Sequence, residues 1–597
     1  MGDYSVSDIY QGGYSSFKPN YGSTFVNYTM NASKLGITTD PRTANIMQDS
    51  STKLNMGIKQ IELALVSPEV FDSIPKQQLK EISRMSKLVG AEVSVHGPVL
   101  NSTGITQQGF SELNREEVER RISDVMIRSH DINPEGNSPV TFHAGEGILG
   151  SEWKTLGWGD KAREAKKIIA VDKESGKMIP LEEEEKFYPG GKGGEIIKKE
   201  YSPEENLKII NETEWDNKIS QLFFNKERAD EILEQNQTQI QQLPLAEMQE
   251  REKKGQDPLG GLTPTQQQAY IKMRDAQNYL SEINKTANGI FSKAYKFGNE
   301  EQQEALKQLS EDYRKDLEKN GGSVLGESKA MHKLLINLQN PEFAPEMFVP
   351  IEKFATDQSS KTFGNAAFNA YKQFGNTAPI LSIENPPAGF GMSTGEDLKN
   401  LVIASRKQFA DRVIKEKGIS EREAEKLAEK FIGATWDVGH INMLRKQGFK
   451  DEDIVRESEK VAPFVKHVHL SDNFGFEHTE LPMGMGNVPI KEIMEKLGQK
   501  GFDAKKIIEA GQWWQHFQTP PFKETLEAFG SPIYSMQMSP YWNQALGFQQ
   551  GYFGGYGAML PSINYESFGA GFSRLPSELG GQRQGAEGSR MSGRGME

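Results

Sequence analysis

Between residues 35 and 511 one pattern recurs along the chain: a short apolar run, a polar break, then a longer stretch with apolar residues every third or fourth position. The short runs are LGITTD (35–40), KQIELAL (59–65), EVSVHG (92–97) and PVTFHAG (139–145), resumed as PILSIEN (379–385), FIGATWDVGH (431–440), VKHVHLSD (465–472) and KIIEAG (506–511). They read as strands, and the intervening IPKQQLKEISRMSKLVG (74–90) and NREEVERRISDVMIRS (114–129) read as helices. Strands alternating with helices imply parallel pairing, and eight strands close a (β/α)8 barrel. The predicted fold is therefore an α/β TIM barrel carrying a large helical insertion after its fourth strand, with disordered termini.

The rhythm stops between residues 150 and about 375. There KERADEILEQNQTQIQQL (226–243) and QQQAYIKMRDAQNYLSEINKTANGIFSKAY (266–295) carry apolar residues at helical spacing, broken near DPLGGLTP (257–264). This predicts a helical hairpin or small bundle, either a stabilising or oligomerising appendage or a lid over a site at the barrel mouth. Residues 1–34, rich in Tyr, Ser, Gly and Asn, predict a mobile arm, and residues 536–597 a Gly/aromatic tail that is disordered or weakly adhesive. The barrel halves then span 35–150 and 376–535, flanking a mostly helical insertion at 151–375.

Composition narrows the class. A 36% hydrophobic and 26% charged chain of 597 residues fits a globular protein with polar extensions. The amino terminus has neither a basic start nor an apolar stretch, and no run of 18 apolar residues exists, so the expectation is a cytoplasmic protein without a membrane partner. A net charge of −13 opposes non-specific attraction to nucleic acid while leaving room for a local basic groove. GGKGGE (190–195) lacks the preceding strand and the Lys-Ser/Thr pair of a phosphate loop, and reads as a flexible turn.

The candidate chemistry sits at the strand ends. His96, His143, Glu384, Asp437, His440, His469, His478, Glu480 and Glu509 all lie there or in the loops just beyond, and they include five of the nine histidines. In a parallel barrel these ends share one rim, so donors distant in sequence converge. Imidazole with carboxylate suits zinc, manganese or iron, and the absence of Cys excludes thiolate sites and disulfides. The pair in WDVGH, three residues apart, calls for a turn at Gly439. His467 reads as a hydrogen-bonded core histidine, and His130, His332 and His516 carry no signal.

These motifs resemble the xylose isomerase-like TIM-barrel superfamily, and within it the endonuclease IV type of apurinic/apyrimidinic endonuclease, over roughly residues 35–150 and 376–530. The resemblance implies up to three divalent ions, usually zinc, and hydrolysis of the phosphodiester 5′ to an abasic sugar in DNA. It implies a first ion on His96, His143 and Glu384, with Glu384 bridging to a second on Asp437, His469 and Glu509, and a third on His440, His478 and Glu480. It also implies catalytic roles for Glu384 and Glu509, with Glu509 orienting the attacking group. Substrate contact falls to Leu100 and Asn101 in the loop after His96, and Asn385 and Asp472 become supports for the ligands. Two departures stand out. The third pair runs His478-x-Glu480 before Gly484-Met-Gly486, where the family has Asp-x-His, and the loop Gly97-Pro98-Val99-Leu100-Asn101 lacks the family's aromatic wedge. The alternatives are a sugar or sugar-phosphate isomerase or epimerase on one or two ions, and a non-catalytic scaffold that self-associates through the insertion or tail.

Overall fold

The computed structural model describes residues 34–529 apart from 42, 44, 107–108, 146, 156–162, 190–195, 258, 320–322 and 518. The tail, GGKGGE and all of the arm but Lys34 lie outside the described residues. Two compact units emerge, divided at residues 164/165 and 351/352.

The first unit is built on β1 (Leu35–Thr38), β2 (Gln60–Ala64), β3 (Glu92–His96), β4 (Pro139–His143), β5 (Ile380–Glu384), β6 (Ile432–Asp437), β7 (Val465–Leu470) and β8 (Lys505–Ile508). Every adjacent pair is parallel, and β8 pairs with β1, closing a (β/α)8 barrel. Side chains alternate between the two faces of each strand. Ile61, Leu63, Val93, Val95, Val140, Phe142, Leu381, Ile383, Ala434, Trp436, Val468 and Leu470 are all buried. Helix starts are written into the sequence: Ser111 caps Glu112–Ser129, Thr394 with Asp397 forms a capping box for Gly395–Lys417, and Ser420 with Glu423 does so for Glu421–Phe431.

The alternate positions are polar. Ser94, Thr141, Ser382, Thr435 and His467 are fully or almost fully buried, and they form a hydrogen-bonded layer in place of the branched aliphatics that usually fill such barrels. Thr435 Oγ1 lies 3.0 Å from Thr141 Oγ1 and donates to Ser382 Oγ at 2.7 Å. One step towards the carboxyl ends the same faces present His96, His143, Glu384, Asp437 and His469, since the register sets Glu384 opposite His143 and Asp437 opposite His469.

The second unit spans residues 165–351 and mixes strands with helices. Strand Arg163–Asp172 pairs antiparallel with Met178–Glu182 and Phe348–Pro350, and Glu184–Tyr188 pairs with Ile197–Tyr201. Its helices Pro203–Gln235, Pro264–Phe297, Glu300–Lys319 and Val324–Leu338 enclose a core of their own. The segment expected to be inserted, 151–375, thus differs from this unit at both edges. Helix Ile351–Phe374 groups with the barrel, because its buried face of small residues (Ala355, Ala366, Ala367, Ala370) with Phe363 and Phe368 is the apolar stripe a barrel helix needs.

Candidate metal centre

His96, His143, Glu384 and Asp437 are the last residues of β3 to β6, His469 is the penultimate residue of β7, and Glu509 follows β8 directly. His440 arrives by a helical turn: Asp437 caps the short helix Val438–Asn442, and its Oδ1 accepts from the His440 amide at 2.6 Å. The turn expected at Gly439 is thus a helical one. Glycine is needed there for space, since a Cβ would approach the Ser471 carbonyl oxygen to 2.8 Å.

Among the described residues four donor groups have their ligand atoms within 4.8 Å of one another, and two of them are expected sets: His96, His143 and Glu384, and Glu384, Asp437, His469 and Glu509; the others are His96, His469 and Glu509, and Glu62, His467 and His469. Glu384 belongs to both expected sets. Its Oε2 faces His96 Nε2 at 3.1 Å and His143 Nε2 at 3.3 Å, while its Oε1 faces His469 Nδ1 at 2.8 Å, with His440 Nδ1 at 3.8 Å. His469 Nδ1 also lies 3.2 Å from Glu509 Oε1. Ligands about 2.1 Å from one ion are separated by about 3.0 Å along an octahedral edge and about 3.4 Å along a tetrahedral one, so these spacings fit shared cations.

The tautomers agree. His96 Nδ1 donates to the Gly97 carbonyl at 3.0 Å, which leaves the Nε2 lone pair aimed at a carboxylate oxygen. Two acceptors at that distance need a proton or a metal ion between them. His440 Nδ1 donates to the Asn385 carbonyl at 2.7 Å, so its Nε2 lone pair points at His478 Nε2, 2.8 Å away.

Charge says the same. Burial disfavours the Glu384 anion, but the imidazoles of His469 and His143 hold its carboxyl well below the usual carboxylate range. Burial also opposes the His469 cation, yet Glu384, Glu509 and Glu62 keep that ring charged well above the usual imidazole range. The Glu509 carboxyl is pushed well above its ordinary value by burial and, although His469 pulls it down, by Glu384, Asp437 and Glu480. Burial, more than any neighbour, pushes His440 down. The centre thus gathers more carboxylates than its own cations neutralise, which suits a divalent ion.

The third expected group is less complete. His440 and His478 meet, but no three-donor group among the described residues contains Glu480. All three line one cavity of about 440 Å³, together with His96, His143, Glu509, Thr38, Pro41, Ala64, Val66, Gly511, Gln515 and His516. No Lys or Arg is among these residues.

The expected supports divide in their roles. Asn385 clamps Asp437 from both sides: its Oδ1 accepts the Asp437 amide at 2.9 Å, and its Nδ2 donates to the Asp437 carbonyl at 3.0 Å. Asp472 instead ties down the loop that carries His478 and Glu480, accepting from the amides of Asn473, Gly484 and Val488. Leu100 and Asn101 are not among the cavity residues. The Asn101 side chain is spent inside its own loop, donating to the Ile105 carbonyl at 2.8 Å and accepting from the Thr103 amide at 3.1 Å.

Sequence reading passed over three residues. His516 and Gln515 line the cavity because the helix Gly511–Phe517 starts two residues after Glu509. Glu62, wholly buried on β2, touches His467 and His469. Its signal was present in KQIELAL, where alternation sets this acid opposite in facing to Ile61 and Leu63.

A sequence family described as xylose isomerase-like TIM barrel matches residues 415–529. Over those residues, which hold β6, β7 and β8, the closed parallel barrel is thus similar to the xylose isomerase-like TIM barrels. An uncharacterized protein of Methanocaldococcus jannaschii, MJ1311, is 32% identical over 80 residues, which is 13% of this chain and 26% of that protein. The chain thus spans about a quarter of that relative's length. Among solved structures, a D-psicose 3-epimerase with D-tagatose from Clostridium cellulolyticum H10 aligns at 8% identity over 84% of this chain and 98% of the other, with a TM-score of 0.34. A D-tagatose 3-epimerase-like protein aligns at 22% identity over 31% of this chain and 64% of the other, with a TM-score of 0.19. Among the described residues no helix is long and apolar enough to cross a membrane.

Proposed function

We propose that the barrel is a metal-dependent phosphodiesterase of the endonuclease IV type, hydrolysing the phosphodiester 5′ to abasic sites in DNA. The observation that carries this reading is the division of Glu384, whose two oxygens face two different sets of imidazoles. A single-ion enzyme has no use for His96 and His143 on the far side of that carboxylate. His96, His143 and Glu384 would hold one ion, and Glu384, Asp437, His469 and Glu509 a second; His440, His478 and Glu480 are the candidates for a third. Zinc suits this donor set, and manganese or iron are also compatible. Ions held there would supply Lewis-acid polarisation of a phosphoryl oxygen and a lowered pKa for water.

The protein's own part is to bind and orient. Asn385 holds the Asp437 main chain and, through its own carbonyl, the His440 ring, while Ser471 Oγ and the His440 amide hold the Asp437 carboxylate. Glu509, partly open to the cavity, is placed to orient the attacking group. Among the described residues the lining holds no Lys or Arg, and bound ions would supply positive charge to a phosphodiester entering the cavity.

A second reading, a sugar isomerase or epimerase, is favoured by one observation: the four donors Glu384, Asp437, His469 and Glu509 suffice for one ion, beside a cavity whose described lining holds no Lys or Arg and so suits a neutral polyol better than a sugar phosphate. The test incubates the zinc-loaded chain with an end-labelled duplex holding one abasic site and, separately, with ketohexoses. Nicking 5′ to the lesion that chelation abolishes and zinc restores supports the phosphodiesterase. Sugar interconversion without nicking overturns it.

A further inference from the structure

Beneath the donor layer lies a buried group that the proposed chemistry does not use. Glu62 is fully buried in the barrel interior, and its Oε2 accepts from Ser94 Oγ at 2.8 Å and from His467 Nε2 at 2.8 Å. Its Oε1 lies 2.9 Å from His469 Nε2, and neither of these two atoms has another hydrogen-bond partner among the described residues. These two buried atoms therefore face each other at bonding distance and can satisfy one another.

We infer that Glu62 is a positioning residue that holds His469 with its Nε2–H turned into the barrel, so that Nδ1 is the atom presented to the metal centre. The inference rests on the proposed metal site, and the argument is one of donors and acceptors. A carboxylate can only accept, so each ring against Glu62 must turn an N–H towards it. For His467 this leaves Nδ1 as a bare lone pair without a partner, which is the cheaper of its two nitrogens to leave unsatisfied. For His469 it leaves Nδ1 aimed between Glu384 Oε1 at 2.8 Å and Glu509 Oε1 at 3.2 Å. Apart from Glu384 and Glu509 on the Nδ1 side, the rings against His469 are His96, stacked with centroids 5.7 Å apart, and His467, edge-on at 5.0 Å, contacts that set the plane but not which nitrogen faces the metal centre. Carboxylates behind a metal-ligating imidazole raise its basicity and lock its orientation, and losing one typically costs about 10–100-fold in metal affinity.

The test titrates the full-length metal-free chain with Zn²⁺ against a competing chelator, for wild type, Glu62→Gln and Ser94→Ala, with circular dichroism and thermal melts as folding controls. Folded Glu62→Gln is expected to lose about 10–100-fold in affinity for one ion, while Ser94→Ala, which removes a Glu62 contact remote from His469, changes it by less than about threefold. If Glu62→Gln fails to fold, ¹⁵N histidine spectra of zinc-loaded wild type decide: they are expected to show His469 protonated at Nε2 and metal-bound through Nδ1. Unchanged zinc affinity in folded Glu62→Gln, equal losses in both variants, or zinc on Nε2 overturns the positioning role. Wild type that binds no zinc overturns the metal centre instead.

Discussion

Replacing Glu384 by Gln keeps the side chain's shape and removes the charge that two donor groups share. In the metal-free protein the carboxylate is wholly buried and lies 2.8 Å from a His469 ring held in its charged form. Two unit charges at that separation attract by about 6 kcal/mol at an effective dielectric of about 20. The net loss is smaller, because Glu509 at 3.2 Å and Glu62 at 2.9 Å remain beside the ring. Removing one partner of a buried pair typically costs about 3–5 kcal/mol, and the low end, about 3 kcal/mol, applies here. The assay is denaturant unfolding of metal-free wild type and variant near neutral pH, repeated with excess Zn²⁺. Zinc at one hundred times its dissociation constant stabilises wild type by about 2.7 kcal/mol per site, and the variant should gain much less, since both donor groups have lost their common member. Equal stability of the two metal-free proteins, together with an equal gain on zinc addition, would refute the shared-carboxylate geometry.

Two further outcomes follow from features away from the centre. Burial, with Glu352 nearby, pushes the Asp397 carboxyl from 3.8 up to about 7, against the pull of its hydrogen bonds from Thr394. Between those values the folded protein keeps a proton that the unfolded chain has released, so stability falls as pH rises through this window and levels off above about pH 7. Asp397→Asn should therefore stabilise by roughly 2–4 kcal/mol at pH 8 and by less at pH 5, measured as urea midpoints at both; a gain independent of pH would contradict this. In the second unit, Lys226 occupies a buried position in the stripe Trp215, Ile219, Leu222, Lys226, Ala229, Leu233 and pairs with Asp230. Replacing both charges by Lys226→Met and Asp230→Ala should raise stability by about 1–4 kcal/mol in thermal or chemical melts, and a loss would mean that the pair sets helix register.

The barrel was legible because its strands alternate strictly and its donors sit where those strands stop. His96, His143, Glu384, Asp437, His469 and Glu509 come together because parallel strands put all their carboxyl ends on one rim, a property of the topology that needs no knowledge of sequence spacing. The heptad-like stripe Ala269, Met273, Ala276, Leu280, Ile283, Ala287, Ile290, Ala294 was equally open to reading. What escaped were features set by three-dimensional context. The buried face of helix Ile351–Phe374 mixes Ala with Ser, Thr and Asn between its aromatics, which lowers the hydrophobic contrast, so the helix was read into the insertion. AKKIIAVD (165–172) is a strand by its own composition, yet it was absorbed into a region dominated by long helices. Gly439 reads as a turn residue in a strand-end motif, whereas its smallness serves the approach of Ser471. His516 lies on a helical turn whose direction over the cavity no local pattern encodes.

The central claim is that one carboxylate, Glu384, joins two cation sites in the same cup. Elemental analysis of the full-length chain, purified without chelator and then equilibrated with Zn²⁺ and desalted, tests it most directly when run beside Glu384→Gln. The account predicts two to three zinc ions per wild-type chain, about the range a shared-carboxylate centre with a third site allows, and a loss of more than one ion in the variant. A wild-type chain that retains at most one ion, or a variant that retains the full wild-type complement, would contradict it.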